Sequence, residues 1–178
     1  MHKNIPNTFT FISDFKKEEI LKLNKNIGII FRNYKEANNR YKISKIKHFC
    51  KINQRKFYLA NNIRLAINLN LDGVYVSAFN KNFDILKYNK RKNFLILGSA
   101  HNNKEIKIKE TQGIDVIFIS PLFKTKNYKK GLGIIKFNLL SEMTKKKVIA
   151  LGGISKNNIK KLKITNTYGF CGISYFSS

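Results

Sequence analysis

Acidic side chains are scarce in this sequence. Ten Asp and Glu stand against 35 Lys and Arg, a formal net charge of +25 at pH 7. A surplus of that size suits nucleic acid, an acidic membrane surface or anionic small molecules. Lys, Asn and Ile are abundant along the whole chain, however, rather than gathered into a patch. There is no RNA- or DNA-binding motif and no basic arm, so nucleic acid is not the expected partner. Cysteine is rare too: Cys50 and Cys171 are far apart and lack the spacing of a metal or redox pair, which leaves reduced thiols as the expectation. Long apolar stretches are missing, since no segment reaches the roughly 18 residues that a membrane span needs. The start of the chain carries no apolar core with a small-residue cleavage site. A cytoplasmic protein with no membrane partner is therefore expected. No stretch rich in Pro, Gly and Ser divides the chain, so residues 1–178 read as one domain.

What is present is a regular alternation, clearest between Ile114 and Ser155. Two apolar runs, Asp115-Val-Ile-Phe-Ile-Ser-Pro-Leu-Phe123 and Lys147-Val-Ile-Ala-Leu-Gly-Gly-Ile-Ser155, lack polar alternation, as strands buried on both faces do. A loop rich in Lys, Thr and Gly and a helical pattern separate them, which makes a βαβ unit. Ser120, Thr125 and Lys126 follow the first run, and Gly152 and Gly153 close the second. In parallel α/β folds the loops at the carboxyl ends of strands build the site, and paired glycines let backbone N–H groups approach an anion.

The same pattern extends over the chain. Strands are expected at 8–14, 26–32, 57–60, 72–77, 93–99, 115–123, 147–155 and 168–175. Helical segments are expected at 15–25, with Ser13 or Asp14 as cap, and at 41–52, with Tyr41, Ile46 and Phe49 facing a core. Others are expected at 63–69, 82–90, 133–145 and 156–163, the last capped by Ser155. Residues 102–111 alternate Ile with Lys or Glu, yet a parallel crossover is needed there, so a helix is assigned. Eight strands and seven helical segments fit an α/β fold of the TIM (β/α)₈ barrel type. The alternative, a doubly wound open sheet, would be wide and lacks its dinucleotide fingerprint here. A barrel of this length must have minimal loops.

Several residues in order then carry a resemblance: Arg32, Ile63-Arg-Leu-Ala66, Asp72-Gly-Val-Tyr75, Ser99-Ala-His101, Ser120-Pro-Leu-Phe-Lys-Thr125, Ala150-Leu-Gly-Gly-Ile154 and Gly172-Ile-Ser174. Their order and spacing resemble the thiamine phosphate synthase and thiazole tautomerase superfamily across essentially the whole chain. The resemblance implies a barrel that joins a pyrimidine methyl diphosphate to a thiazole phosphate and releases pyrophosphate, with Mg²⁺ assisting. Arg32 is then the expected cation for the departing diphosphate. Ser99 and His101 match the family's S-x-H pair and are expected, with Arg32, as catalytic residues, and Thr125 and Lys126 fall in its Thr-x-Thr-Lys loop, which the resemblance makes substrate-binding. Gly152, Gly153, Ile173 and Ser174 correspond to its backbone phosphate cradle, where a Gly153→Val change is expected to abolish binding and spare the fold.

The departures are specific. The family's Gln-x-Arg-x-Lys falls on Ile30-Phe-Arg32-Asn-Tyr34, and the second Thr and the Lys of its loop fall on Asn127 and Tyr128. Its two metal carboxylates fall on Asn61 and Asn80. Pro121 is a synthase-like feature. Two readings follow: a divergent synthase-like transferase, or a non-catalytic or altered barrel that binds a phosphorylated, thiamine-related small molecule. Because the last strand is followed so closely by Ser177 and Ser178, the barrel is expected to lack its final helix. Self-association through the uncovered faces of strands one and eight, as a homo-oligomer, and weaker phosphate binding are expected with it.

Overall fold

The computed structural model describes residues 4–176. Eight parallel strands close on themselves in chain order: β1 (Thr8–Ile12), β2 (Gly28–Phe31), β3 (Phe57–Ala60), β4 (Gly73–Val76), β5 (Leu95–Ala100), β6 (Val116–Ile119), β7 (Lys147–Leu151) and β8 (Gly169–Cys171). The crossovers carry α1 (Lys17–Leu21), α2 (Arg40–Ile52), α3 (Ile63–Asn68), α4 (Asn103–Thr111) and α5 (Gly133–Glu142). Two crossovers use 3₁₀ turns instead, at Asp84–Lys87 and Ile159–Ile164. This is the TIM (β/α)₈ barrel.

The strands form because both of their faces find apolar cover. Ile29, Phe31, Leu59, Val74 and Val76 point outward and pack with Ile43, Ile46 and Cys50 of α2 and with the other helices. Phe9, Phe11, Ile30, Tyr58, Tyr75, Leu97, Val116, Phe118 and Ile149 point inward. Aromatic rings fill this interior. Phe118 sits edge-on to Phe9 at 5.1 Å and to Tyr75 at 5.5 Å, Phe9 meets Tyr58 at 5.8 Å, and Tyr75 meets Phe11 at 5.0 Å. Such pairs add to the burial of the rings themselves. Gly28 leaves the necessary room, since a Cβ there would stand 2.6 Å from the Phe9 ring. Among the described residues the buried Tyr58 hydroxyl has no hydrogen-bond partner, and burial pushes its pKa far up, so it stays neutral.

Polar side chains fasten the ends. Asp72 accepts the Phe57 N–H at 3.0 Å and Asp115 accepts the Ile96 N–H at 2.9 Å, holding β3 and β5 from below. Asn39, Asn62 and Asn102 cap α2, α3 and α4 by accepting an N–H three residues on.

The eight expected strands are all found; β3 keeps its expected bounds, β5 is shifted to Leu95–Ala100, and the others are trimmed at their ends. β8 keeps three residues of the expected run, because the Gly172 carbonyl turns away to accept the Thr10 hydroxyl at 2.9 Å. The helix expected at 15–25 is only Lys17–Leu21, with Lys16 rather than Ser13 or Asp14 at its start and Ile20 as its one buried residue. Residues 82–90 hold a 3₁₀ turn, because Asn80 and Asn82 each accept an N–H two residues on and commit the segment to turns. The segment expected from Lys156, capped by Ser155, begins at Ile159; Asn158 instead accepts the Ser155 N–H at 2.9 Å. Tyr41 is 71% exposed, and Ile43, Ile46 and Cys50 form the buried face of α2.

No helix follows β8 among the described residues; Ser177 and Ser178 lie outside them. Tyr175 and Phe176 fold back over Phe170, with ring centroids 5.1 and 6.2 Å away, and cover part of the face expected to be bare. No helix of the described residues is long and apolar enough to cross a membrane.

The interior rings set an expectation for stability. Phe118→Ala should cost about 3–5 kcal/mol in denaturant unfolding, as buried Phe deletions do. A loss below about 1 kcal/mol would show that the interior does not rest on this ring.

Candidate functional site

The carboxyl ends of β2, β6, β7 and β8 surround a cavity of about 260 Å³. Its wall is made where the chain after β6 runs beside the end of β7. Leu122 and Phe123 donate their N–H groups to the Leu151 and Gly152 carbonyls at 2.8 and 3.0 Å, extending the pairing of the two strands past the barrel rim. Gly152 and Gly153 have φ of +95° and +70°, a region that only glycine occupies readily. A Cβ on Gly153 would also meet the Lys124 carbonyl oxygen at 2.4 Å, and one on Gly152 would meet Pro121 at 2.8 Å. The glycines are thus required by a close backbone approach as well as suited to an anion.

Arg32, Thr125, Lys126, Gly152, Gly153, Ile173 and Ser174 all line this cavity. Arg32 lies just past β2, with its guanidinium carbon 4.0 Å from the centre of the Phe11 ring, so the top of the aromatic interior fixes the cation. Thr125 closes a tight turn: its hydroxyl accepts the Tyr128 N–H at 3.1 Å, and the exposed Lys126 stands at the tip. The turn of Ile173 and Ser174 is held from within by the buried Thr10, through the Gly172 carbonyl.

Ser99 and His101 fall outside the lining. Ser99 is buried and bonds to the Tyr75 hydroxyl, whose pKa burial pushes far up. His101 Nδ1 lies 2.9 Å from Glu105, which also accepts the His101 N–H at 2.8 Å at the start of α4. The imidazole stacks near Tyr128, with centroids 6.1 Å apart, so it braces the Thr125 turn against α4. Cys171 lines the cavity as a thiol whose pKa burial pushes far up, and burial pushes Cys50 to about 12; neither is a nucleophile at neutral pH.

The two positions of the family's metal carboxylates lie in the loops after β3 and β4, where this chain has Asn61 and Asn80. Asn61 Oδ1 accepts the Ser77 N–H at 2.9 Å, and its amide nitrogen donates to the Ser77 hydroxyl at 3.0 Å. The Ser77 oxygen also meets the Tyr34 hydroxyl at 3.0 Å. Beneath the loop, Lys109 of α4 is 0% exposed, and its ammonium donates to the Ser77 and Asn80 carbonyls at 3.0 and 2.7 Å and to Gln112 Oε1 at 2.9 Å. Gln112 in turn donates to the Asn80 and Asn82 carbonyls at 3.1 and 2.8 Å. Burial lowers the Lys109 pKa to about 8, which still leaves it charged at pH 7. Mg²⁺ requires hard oxygens in an octahedron and ordinarily takes at least one carboxylate. Amides already bonded within the loop, above a fixed ammonium, do not fit that ion. Among the described residues no group of three or more His, Cys, Asp or Glu gathers as a metal site.

Lys109, Gln112, Ser77 and Tyr128 escape a reading by sequence pattern. One signal was there: Ile106 and Lys109 share the buried face of α4, so a lysine sits in core register. The glycine geometry adds a structural cost to the Gly153→Val change, which strains the turn as well as filling it. It should cost about 1–3 kcal/mol from overpacking and an unfavourable φ, lowering the melting temperature by several degrees. An unchanged melting temperature would contradict the close approach to Lys124.

Comparison with known proteins places this geometry in a family. Residues 18–176 match the family described as thiamine monophosphate synthase. The chain is 28% identical over 178 residues to the thiamine-phosphate synthase of Pelagibacter ubique, covering 95% of this chain and 84% of that protein. It is 29% identical over 137 residues to thiamine-phosphate synthase 1 of Streptococcus pneumoniae, covering 74% of this chain and 65% of the relative. Among solved structures, the thiamine phosphate pyrophosphorylase of Pyrococcus furiosus superposes with a TM-score of 0.75 at 20% identity, covering 95% of this chain and 86% of that one, which speaks to the fold. The chain belongs to the thiamine monophosphate synthase family.

Proposed function

We propose that the chain is a transferase of thiamine biosynthesis, joining a pyrimidine methyl diphosphate to a thiazole phosphate with release of pyrophosphate. The observation that carries this reading is the convergence of Arg32, the Thr125 turn, the Gly152-Gly153 turn and the Ile173-Ser174 turn on one cavity of a chain in this family. In such a coupling the carbon–oxygen bond to the diphosphate breaks with the electron pair leaving on oxygen, and the thiazole nitrogen forms the new bond to that carbon. No proton has to be transferred. The work of the protein is to align two rings and to meet the charge growing on the leaving group.

Arg32 meets that growing negative charge from a position fixed by Phe11, and Lys126 adds a second cation at the tip of the Thr125 turn. The turns at Gly152-Gly153 and Ile173-Ser174 present backbone to the thiazole phosphate. Ser99 and His101 act as supports, Ser99 under Tyr75 and His101 against Tyr128. A second reading, a barrel that binds a phosphorylated ligand without turnover, is favoured by one observation: amides stand at Asn61 and Asn80. A cytoplasmic location belongs to the same proposal. So does association of two copies over the groove of about 580 Å³ beside β1 and α1, which Ile173 and Phe176 border. Sedimentation at micromolar concentration checks this last point, and a clean monomer contradicts it.

The assay for the transferase supplies both precursors and follows thiamine phosphate. Turnover is expected from the intact chain, and its absence favours the binding-only reading. Arg32→Ala should lower kcat/KM by about 10²-fold or more. Its melting temperature should fall only slightly, because the contact with Phe11 is worth about 1 kcal/mol. Wild-type turnover in that variant removes Arg32 from the site.

A further inference from the structure

The loop that follows β4 is built around a cation of the chain's own. All three protons of the Lys109 ammonium are used, on Ser77 O, Asn80 O and Gln112 Oε1. A flexible β4 loop with carboxylates could gather oxygens around a divalent ion. Here two of its carbonyl oxygens already converge on an ammonium, and Asn61 and Ser77 are tied to each other above it. A second cation brought to this loop meets an established charge, and the one carboxylate that shares the loop's cavity with Asn61 and Asn80, Asp84, is already paired with Lys87 at 2.6 Å.

The surrounding carboxylates offer no substitute. None of the residues lining the 260 Å³ cavity is Asp or Glu. In the segments that follow the strands, Asp14 and Glu36 are both held by Lys42 at 2.6 Å, Asp84 by Lys87 at 2.6 Å, and Glu105 lies on His101 at 2.9 Å. Asp72 and Asp115 accept strand N–H groups at the opposite end of the barrel. The cavity instead carries Arg32 and Lys126, with the glycine turn between β7 and the β6 loop. Cations fixed before the ligand arrives neutralise an anion without a metal to bridge them.

We propose that this site takes its diphosphate as the metal-free anion, the chain's own cations standing where a divalent ion would otherwise be required. The diphosphate as ligand rests on the transferase reading above; the independence from metal rests on the loop around Lys109 and on the cavity lining. The substrate class is therefore an organic diphosphate whose charge is met by guanidinium, ammonium and backbone N–H groups, with no obligatory divalent partner.

Calorimetric titration of the full chain with inorganic pyrophosphate, in chelator and in excess Mg²⁺, tests the inference. Binding is expected in chelator, with an affinity within about tenfold of that in Mg²⁺. Binding seen only with Mg²⁺, binding more than about tenfold tighter with it, or binding in neither medium overturns the inference. The coupling assay run in the same two media separates the two proposals. Thiamine phosphate formed in both supports both. Product formed only with Mg²⁺ overturns the metal-free site and leaves the transferase standing. Metal-independent binding of pyrophosphate with no product in either medium supports the metal-free site and removes the transferase reading.

Discussion

The guanidinium of Arg32 resting on the Phe11 ring joins the packing of this barrel to the chemistry of its mouth. Below that contact the interior is a run of aromatic rings from Phe11 through Tyr75 and Phe118 to Phe9 and Tyr58. Large rigid rings let short strands of three to six residues fill a barrel without long loops or extra layers. They also give Arg32 a floor that does not yield, which its proposed role of meeting transition-state charge needs. In the proposed reading stability and function share residues, since loosening Phe11 would release the cation as well as a core contact.

Much of this organisation could be read from the residues alone, and the reason is physical. Strands of a parallel barrel are buried on both faces, so Gly28–Phe31, Phe57–Ala60 and Val116–Ile119 stand out as unbroken apolar runs. The crossovers were less legible. Residues 15–25 and 82–90 hold too few core-facing side chains to fix a helix, and side-chain to backbone bonds from Asn80 and Asn82 decided the second case. The expected cavity residues, from Arg32 to Ser174, lie at strand ends, where the fold itself brings distant sequence positions together. Ser99 and His101 lie near by but turn to structural partners, Tyr75 and Glu105, that sequence spacing does not reveal.

Lys109 was hidden for a different reason. In a chain with so many lysines, one more on an amphipathic helix reads as a solvent-facing residue. Only the three oxygens around its ammonium make its burial tolerable. It shows how a basic composition can be put to structural use: a cation inside the fold organises the loop after β4. The amides at Asn61 and Asn80 are consistent with that arrangement, because each serves hydrogen bonds within the loop or faces another amide.

The central claim is that the cavity bounded by Arg32, Gly152-Gly153 and Ile173-Ser174 holds the phosphorylated ligands. A crystal structure of the full chain with thiamine phosphate tests it most directly. The account predicts the phosphate against the Gly152-Gly153 turn and beside Ser174, with the rings directed toward Arg32. Phosphate density at the opposite end of the barrel, in the basic groove of Lys47, Lys51, Arg55 and Arg91, with the mouth left unengaged, would contradict it.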